Sequence, residues 1–268
     1  MNHIYRLVWN TKRRMLMAVA EVGTSHGKDG VTDTPVGRVV SDSAETFQGT
    51  RKILAAAVIA LFPLASFAQM SSSPDEIPEG SEIYLSDSDG TNADAANWRL
   101  ENNGTLHISG TDNGTNLLSL SGSGSVLLGD KTLTLTSADG VYDGTIQGAG
   151  GFTVDRGYET LSAANTYTGA TTIREQGRLV LSDSGAVALS SGVLNNGVFD
   201  VAATNNGAQV QSLSGSGAVL LGGQTLTLTN ANDQFAGTIN GWGGLTVAGG
   251  HAVLSGANTY TGVTTVDQ

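Results

Sequence analysis

The sequence contains no cysteine, only four prolines and few charged residues, which occupy 14% of its 268 positions. The absence of cysteine excludes a disulfide framework, a cysteine metal site and a cysteine nucleophile. The scarcity of proline excludes a proline-rich disordered tract. Glycine is abundant instead, with 37 residues, and Ser, Thr and Asn fill much of the remainder. This composition is typical of many short strands joined by tight turns.

Positive charge is scarce after residue 68. Residues 1–68 hold 8 Lys and Arg against 5 Asp and Glu, a balance of +3, whereas residues 69–268 hold 5 against 19, a balance of −14. Because an acidic surface repels phosphates, we expect no nucleic-acid binding by the second part. The change of sign predicts a removable basic leader in front of an acidic mature protein.

No apolar run reaches the roughly 20 residues that a membrane-spanning helix needs. The most apolar stretch, residues 51–68, reads RKILAAAVIALFPLASFA. Its basic start, its short apolar centre and its small terminal residues are typical of a signal peptide, with cleavage expected between Ala68 and Gln69. The alternatives are a buried core helix and an uncleaved anchor, which the flanking residues disfavour.

An additional segment, residues 1–50, precedes this signal peptide and begins MNHIYRLVWN. It resembles the extended signal peptide region of large type V secreted proteins, the autotransporters and their two-partner relatives. The resemblance implies export through the Sec machinery. We expect the leader, residues 1–68, to be helical or disordered.

The remainder of the chain contains an internal duplication. Residues 119–173 align without a gap with residues 212–266, and 35 of the 55 positions are identical. Each copy consists of short segments in which polar and apolar residues alternate, as in half-buried strands, separated by glycine-rich turns. Thr132–Thr136, Phe152–Val154 and Leu179–Leu181 are examples. Few predicted strands exceed six residues, and none of these segments has a helical period.

Two all-β architectures fit this pattern: a right-handed parallel β-helix, which is a solenoid, and an antiparallel sandwich or barrel. The long, near-exact repeat, the small aliphatic inward positions and the recurrent turns favour the β-helix, because equivalent turns stack in a solenoid. The mature part has room for roughly nine coils of about 22 residues.

Each copy ends in a shared motif, at residues 148–173 and 241–266. Its principal residues are Gly150, Gly151, Asn165, Thr166, Tyr167 and Gly169 in the first copy and Gly243, Gly244, Asn258, Thr259, Tyr260 and Gly262 in the second. Asn favours local backbone hydrogen bonds, and we expect positive φ at Gly169 and Gly262. The motif resembles the passenger-associated transport repeat of autotransporters. This resemblance implies a parallel β-helix passenger that a C-terminal outer-membrane β-barrel translocates to the surface of a Gram-negative bacterium.

These patterns predict the organisation after the leader. Residues 69–116 are expected to form an N-terminal cap and the first coils, with Trp98 covering the open core, and residues 117–268 the β-helix passenger. No barrel-like run of long alternating strands precedes Gln268. We therefore expect a fragment or a truncated gene product.

Few residues suggest chemistry. Asp87, Asp89, Asn92 and Asp94 offer oxygens suited to calcium, but their order does not fit an EF-hand, so a solvated acidic turn is favoured. Residues 124–132 miss the P-loop spacing, and Ser182–Gly185 lacks a histidine motif that would make it a protease site. We expect no cofactor, no metal and no catalytic residue.

The leading functional hypothesis is a non-enzymatic surface protein that acts in adhesion or autoaggregation, with repeats that assist export and folding. Its expected partners are host glycans, matrix or sister cells. One alternative is a polysaccharide-acting enzyme on a β-helix scaffold, which would require Arg174 and Arg178 beside two carboxylates in one cleft. Another is an inactive truncated remnant that lacks its translocator.

Overall fold

The computed structural model describes residues 5–10, 15–20 and 76–267. The chain divides into two compact units, residues 1–54 and residues 55–268. The predicted signal peptide, with Ala68 and Gln69 at its cleavage site, lies outside the described residues. Within the described residues, no helix is sufficiently long and apolar to cross a membrane.

The first unit contains one antiparallel pair of strands. Strand β1 (Tyr5–Asn10) pairs with β2 (Met15–Ala20), and Tyr5 lies opposite Ala20. A helical or disordered leader was expected, and these described residues form strands instead. The Tyr, Val and Trp in β1 are residue types that favour extended structure.

The second unit consists of short strands and one five-residue helix. In chain order they are β3 (Glu76–Ile77), β4 (Glu82–Ser86), α1 (Thr91–Ala95), β5 (Arg99–Asn102), β6 (Thr105–Gly110), β7 (Thr115–Leu117), β8 (Ser119–Ser121), β9 (Ser125–Leu127), β10 (Leu133–Leu135), β11 (Val141–Tyr142), β12 (Thr145–Gln147), β13 (Phe152–Leu161), β14 (Thr171–Asp183), β15 (Val193–Asn195), β16 (Val198–Thr204), β17 (Ala208–Val210), β18 (Leu213–Ser214), β19 (Ala218–Gly222), β20 (Leu226–Leu228), β21 (Gln234–Phe235), β22 (Thr238–Gly241), β23 (Leu245–Val247), β24 (Val253–Leu254) and β25 (Thr264–Val266).

Among residues 76–267 the strand pairs of this unit are parallel, and paired residues are about one coil apart in sequence. Thr105 pairs with Ser125, and Ser125 pairs with Thr145, so that each step is 20 residues. The unit is therefore a parallel β-solenoid of about nine turns, which confirms the predicted β-helix and excludes the antiparallel alternative.

The solenoid has three faces. Face 1 stacks β3, β5, β8, β11, the second halves of β13 and β14, β16, β19 and β22. Face 2 stacks β4, β6, β9 and β12 in one sheet and β17, β20, β23 and β25 in another. Face 3 stacks β7, β10, the first halves of β13 and β14, β15, β18, β21 and β24.

The core follows from the alternation in the sequence. In β10, Leu133 and Leu135 point inward and are fully buried, while Thr134 between them is partly exposed. The same pattern recurs with Leu226 and Leu228 in β20. Burying each such side chain contributes about 1.5–3 kcal/mol, and stacking makes these contributions continuous along the axis.

The two sequence copies do not lie on the same faces. Strand β9 of the first copy is on face 2, whereas its equivalent β19 is on face 1. The copies are offset by 93 residues, since residue 119 aligns with residue 212, and this is about four and two-thirds turns of 20 residues. Equivalent surfaces are thus rotated by one face around the axis.

Two strands are longer than the sequence predicted. β13 has 10 residues and β14 has 13, because both remain extended through the corner between face 3 and face 1. The strands stay paired there, with Arg156 beside Gln176 and Gly157 beside Gly177, and the pairing register shifts between Val154 and Arg156. The added residues at this corner make room for exposed charged side chains.

Candidate functional site

The repeat motif is built around glycines at which successive turns approach closely. A Cβ on Gly150 would overlap the carbonyl oxygen of Lys131, and one on Gly169 would overlap that of Gly150. The second copy repeats both contacts, with Gly243 against Gln224 and Gly262 against Gly243. The motif glycines therefore make room for the neighbouring backbone.

The expected positive φ lies at another glycine. Gly169 and Gly262 do not have positive φ, contrary to the prediction, whereas Gly148 and Gly241 have φ of 124° and 131°. Gly148 directly follows β12, and Gly241 is the last residue of β22, where the chain leaves the sheet. The prediction placed the left-handed conformation in the turn after the motif tyrosine, whereas it lies about one coil earlier, at the start of the motif.

The motif asparagine links two turns. The Oδ1 atom of Asn165 accepts a hydrogen bond of 2.9 Å from the backbone N–H of Ile146, and Asn258 accepts the same bond from Ile239 at 2.8 Å. The next residue, Thr166 or Thr259, donates its backbone N–H to the carbonyl of the same isoleucine at 2.9 Å. The side chain thus replaces a strand hydrogen bond where the chain turns.

The motif tyrosine forms a hydrogen bond within its own copy. Tyr167 Oη lies 2.6 Å from Thr171 Oγ1, and Tyr260 Oη lies 2.7 Å from Thr264 Oγ1. Tyr167 is 1% exposed, and burial raises the pKa of its hydroxyl. Thr171 Oγ1 also donates to Ser190 at 2.9 Å, which connects the motif to the following turn.

The two motifs are not brought together. The segment from Asn165 to Gly169 lies on face 2, whereas the segment from Asn258 to Gly262 stacks on β22 of face 1. They do not form one combined site. Each motif contacts the turn before it, and the first motif also contacts the turn after it through Ser190, so its residues hold turns together.

The predicted calcium loop uses its oxygens within the protein. Asp87 accepts hydrogen bonds from the Asn92 amide at 2.7 Å and from the Asp112 backbone N–H at 2.5 Å. The Asp112 N–H and then the Asn92 amide lower the pKa of Asp87. Asp89 accepts from the backbone and hydroxyl of Thr91, at the start of α1. Asp94 lies in α1, and the structure does not describe its side chain. The favoured solvated acidic turn stays a prediction, and calcium binding stays the alternative.

An open groove of about 500 Å³ lies at the corner between face 3 and face 1. It is lined by Asp155, Arg156, Thr172, Arg174, Glu175, Gln176, Leu194 and Asn196. Arg174 Nε lies 3.3 Å from Asp155 Oδ1, and Arg156 Nε lies 3.9 Å from Asp155 Oδ2. Sequence reasoning considered Arg174, but not the groove, because the stacking of three corners is not visible in one coil.

Arg178 belongs to a separate pair on face 1. Its Nη2 atom lies 2.5 Å from Asp200, and its guanidinium lies over the ring of Tyr158 at 5.8 Å. The groove therefore combines Arg174 with Asp155 and Glu175 but not with Arg178. The constellation expected of a polysaccharide-acting enzyme is only partly present.

The other sequence candidates have structural roles in the described chain. Ser184 donates its hydroxyl to the Ser162 carbonyl at 2.9 Å, as a turn residue. His107 stacks on Tyr84, with ring centroids 3.9 Å apart. Lys131 pairs with its neighbour Asp130 at 3.2 Å.

One buried carboxyl was missed by sequence reasoning. Glu159 in β13 is 0% exposed, and neither carboxyl oxygen has a geometrically good hydrogen bond among the described residues. Burial raises the pKa of Glu159 well above its usual value; the nearby Gly140 backbone N–H lowers it and the charge of Asp139 raises it further. The second copy has Ala252 at this position, and this difference between the copies is the signal in the sequence that could have drawn attention to Glu159.

Comparison with known families agrees with this architecture. Residues 1–50 match the extended signal peptide of the type V secretion system. Residues 157–181 and 249–268 match the passenger-associated transport repeat. The chain carries the leader and the repeats of an autotransporter passenger. The passenger is therefore exported to the cell surface of a Gram-negative bacterium.

The passenger is also similar to a named adhesin. Over 194 residues it is 37% identical to the protein called Adhesin BmaC autotransporter from Brucella suis biovar 1 (strain 1330). The aligned stretch covers 66% of this chain and 5% of that protein, so the chain spans about one twentieth of its relative. No solved structure matches the chain.

Proposed function

We propose that the passenger is a non-enzymatic surface protein that acts in adhesion to host glycans or matrix, or in autoaggregation of sister cells. The observation that carries the proposal is the three-faced solenoid, whose outward-facing positions recur at every turn. Regularly spaced contacts on such a surface suit multivalent binding, in which weak contacts add. The name of the similar adhesin supports the same conclusion.

The separation of Arg174 from Arg178 supports a non-enzymatic role. The groove places Asp155 and Glu175 near Arg174, whereas Arg178 is held by Asp200. A lyase or glycosidase needs its acid, base and charge-stabilising groups around one bond of the substrate. An enzyme of that class would release reducing ends from a polysaccharide. An assay for reducing ends therefore tests the alternative that the passenger is a polysaccharide-acting enzyme.

Adhesion is tested on bacteria that display the full chain fused to a translocator barrel, with cells that display the barrel alone as control. We expect the passenger to increase sedimentation of the cells or their retention on matrix-coated and glycan-coated surfaces. Mixing labelled displaying and non-displaying cells separates autoaggregation from adhesion. Retention and sedimentation equal to those of the control, with surface display verified, would contradict the proposal.

We propose further that the repeats assist export and folding, with the Sec machinery and an outer-membrane β-barrel as partners, and with residues 69–116 as cap and first coils. The hydrogen bonds of Asn165 and Asn258 support this role, because each motif fixes one turn onto the turn before it. Deletion of residues 148–173 should reduce surface exposure of a barrel-fused chain. Undiminished exposure would exclude the export role.

A further inference from the structure

The groove at the corner between face 3 and face 1 is a concave surface that carries two exposed cations, Arg156 and Arg174. It crosses three successive turns, at residues 155–156, 172–176 and 194–196. At about 4.8 Å per stacked strand, three turns extend over roughly 10 Å. This length suits one or two sugar rings, and the volume of about 500 Å³ lies within the range of small-molecule sites.

The groove holds two of the few cations of this part of the chain, beside the carboxylates of Asp155 and Glu175. Residues 69–268 contain five Lys and Arg, of which Arg156 and Arg174 line the groove and Arg178 lies on the adjoining face. The Arg156 and Arg174 side chains are 66% and 63% exposed, although the protein around them is strongly acidic.

Both guanidinium groups present their outer edges to solvent. Each directs its Nε toward Asp155, which is only 29% exposed and lies between them. Among residues 76–267, no other ion pair or hydrogen bond is formed by the Nη atoms of Arg156 or Arg174. Asp155 thus orients two guanidinium forks outward, an arrangement that suits bidentate binding of a carboxylate.

The second sequence copy shows that these charges are not needed for stacking. Asp155 and Arg156 correspond to Ala248 and Gly249, and Arg174 corresponds to Asp267. The strands around those positions, β23 and β25, pair in the same parallel register without them. The coil is therefore built without the charged groove, which leaves its charges available for a ligand.

Resting on the proposed adhesive role, we propose that the groove binds a saccharide that carries a single carboxylate. Arg156 and Arg174 bind the carboxylate, the amides of Gln176 and Asn196 and the hydroxyl of Thr172 bind sugar hydroxyls, and Leu194, 40% exposed, contacts an apolar sugar face. Polyanions are disfavoured because residues 69–268 carry a balance of −14, from 5 positive and 19 negative residues.

The test uses cells that display the full barrel-fused chain and labelled sialyllactose, its methyl ester and lactose. We expect the acid to bind about ten-fold or more tightly than the ester or lactose, since two charge-assisted contacts are lost without the carboxylate. Arg156→Gln with Arg174→Gln should reduce binding of the acid to the level of the ester. Lys131→Gln is the matched control, because the second copy has Gln224 there and stacks normally.

A further variant guards against loss of folding. Asp155→Asn keeps a side-chain oxygen that accepts from the two Nε atoms but removes the negative charge that repels the ligand, so we expect it to bind the acid at least as tightly as the unsubstituted chain, with equal display and protease resistance. Equal binding of acid and ester, unchanged binding by the double arginine variant, or tighter binding of an aspartate hexapeptide than of sialyllactose would overturn the proposal. If the double variant loses the probe but retains cell adhesion, the groove is not the adhesive site, while the adhesive function stands.

Discussion

Single residues determine how closely the turns of the passenger approach. Gly150 and Gly243 have the same contact in the two copies, each against the backbone carbonyl of the turn before. At such positions a methyl group has no space, because the neighbouring atoms are backbone atoms of the turn before, at Lys131 and Gln224, which cannot move aside as a flexible side chain would. The requirement for glycine is therefore steric and lies between turns.

We predict that Gly150→Ala destabilises the passenger by several kcal/mol, through displacement of the Lys131 backbone. Gly192→Ala is the matched control, since its Cβ would lie 3.6 Å from the nearest atom, the Ser212 carbonyl oxygen, in ordinary contact. Urea unfolding measures both. Similar midpoints for the two variants would show that turn spacing does not depend on the motif glycine.

Glu159 places a fully buried carboxyl without a good hydrogen bond inside the coil, and burial of that group in its charged form opposes folding. Its buried carboxyl is neutral in the folded passenger because burial raises its pKa, whereas in the unfolded chain it ionises near pH 4.3. The folded state then binds the extra proton, so the free energy of unfolding is highest below that pH. It falls as pH rises toward the raised folded pKa.

We predict that Glu159→Gln removes most of the decrease in unfolding free energy that occurs as pH rises. The slope of that decrease approaches about 1.4 kcal/mol per pH unit. The variant should be more stable than the unsubstituted passenger at pH 7, and the difference should vanish near pH 4. Glu79→Gln, at an exposed position, is the control. Denaturant unfolding between pH 4 and pH 8 provides the comparison, and parallel stability curves for the two chains would contradict it.

At the scale of elements, side-chain hydrogen bonds act where strand pairing is interrupted. The Tyr167–Thr171–Ser190 chain is buried and connects the motif with the next turn, through distances of 2.6 and 2.9 Å. Its equivalent in the second copy is Tyr260–Thr264. The same residues thus perform the same local task on two different faces.

We predict that Tyr167→Phe costs about 1 kcal/mol of unfolding free energy, because the Thr171 hydroxyl loses one of its partners. A double-mutant cycle with Thr171→Val should give a coupling energy of similar size. Tyr158→Phe, at a tyrosine that is 45% exposed, should have little effect. A coupling energy of zero would show that the hydrogen bond between the Tyr167 and Thr171 hydroxyls does not stabilise the passenger.

Many of the strands and their stacking could be predicted from the sequence. The Thr-Leu alternation at 132–136 predicts β10, and the duplication predicts stacked coils. The extended corners of β13 and β14 could not be predicted, because their conformation depends on Gly157 and Gly177 lying side by side in neighbouring turns. The groove and the burial of Glu159 were missed for the same reason, since both arise from residues about 20 positions apart.

At the scale of the whole solenoid, the structural repeat is one turn of about 20 residues, whereas the two sequence copies are 93 residues apart. The offset of 93 residues rotates the second copy by one face, so a ligand running along one face meets different residues of each copy. What the copies share is the stacking motif, and what differs between them includes the exposed charges of the groove. Shared residues therefore hold the turns together, and the ligand binding that we propose rests on residues that differ between the copies.

Whole-turn deletions test the export role of the motif most directly. Deleting residues 152–170 joins Gly151 to Thr171, removes one turn with its motif and keeps the faces aligned, because Phe152 pairs with Thr171. Deleting residues 198–217 joins Gly197 to Ala218 and removes one turn without a motif, in the register of Val198 and Ala218. Surface display of the barrel-fused chain should fall in the first deletion and persist in the second. Equal display of both would contradict a role of the motif in export.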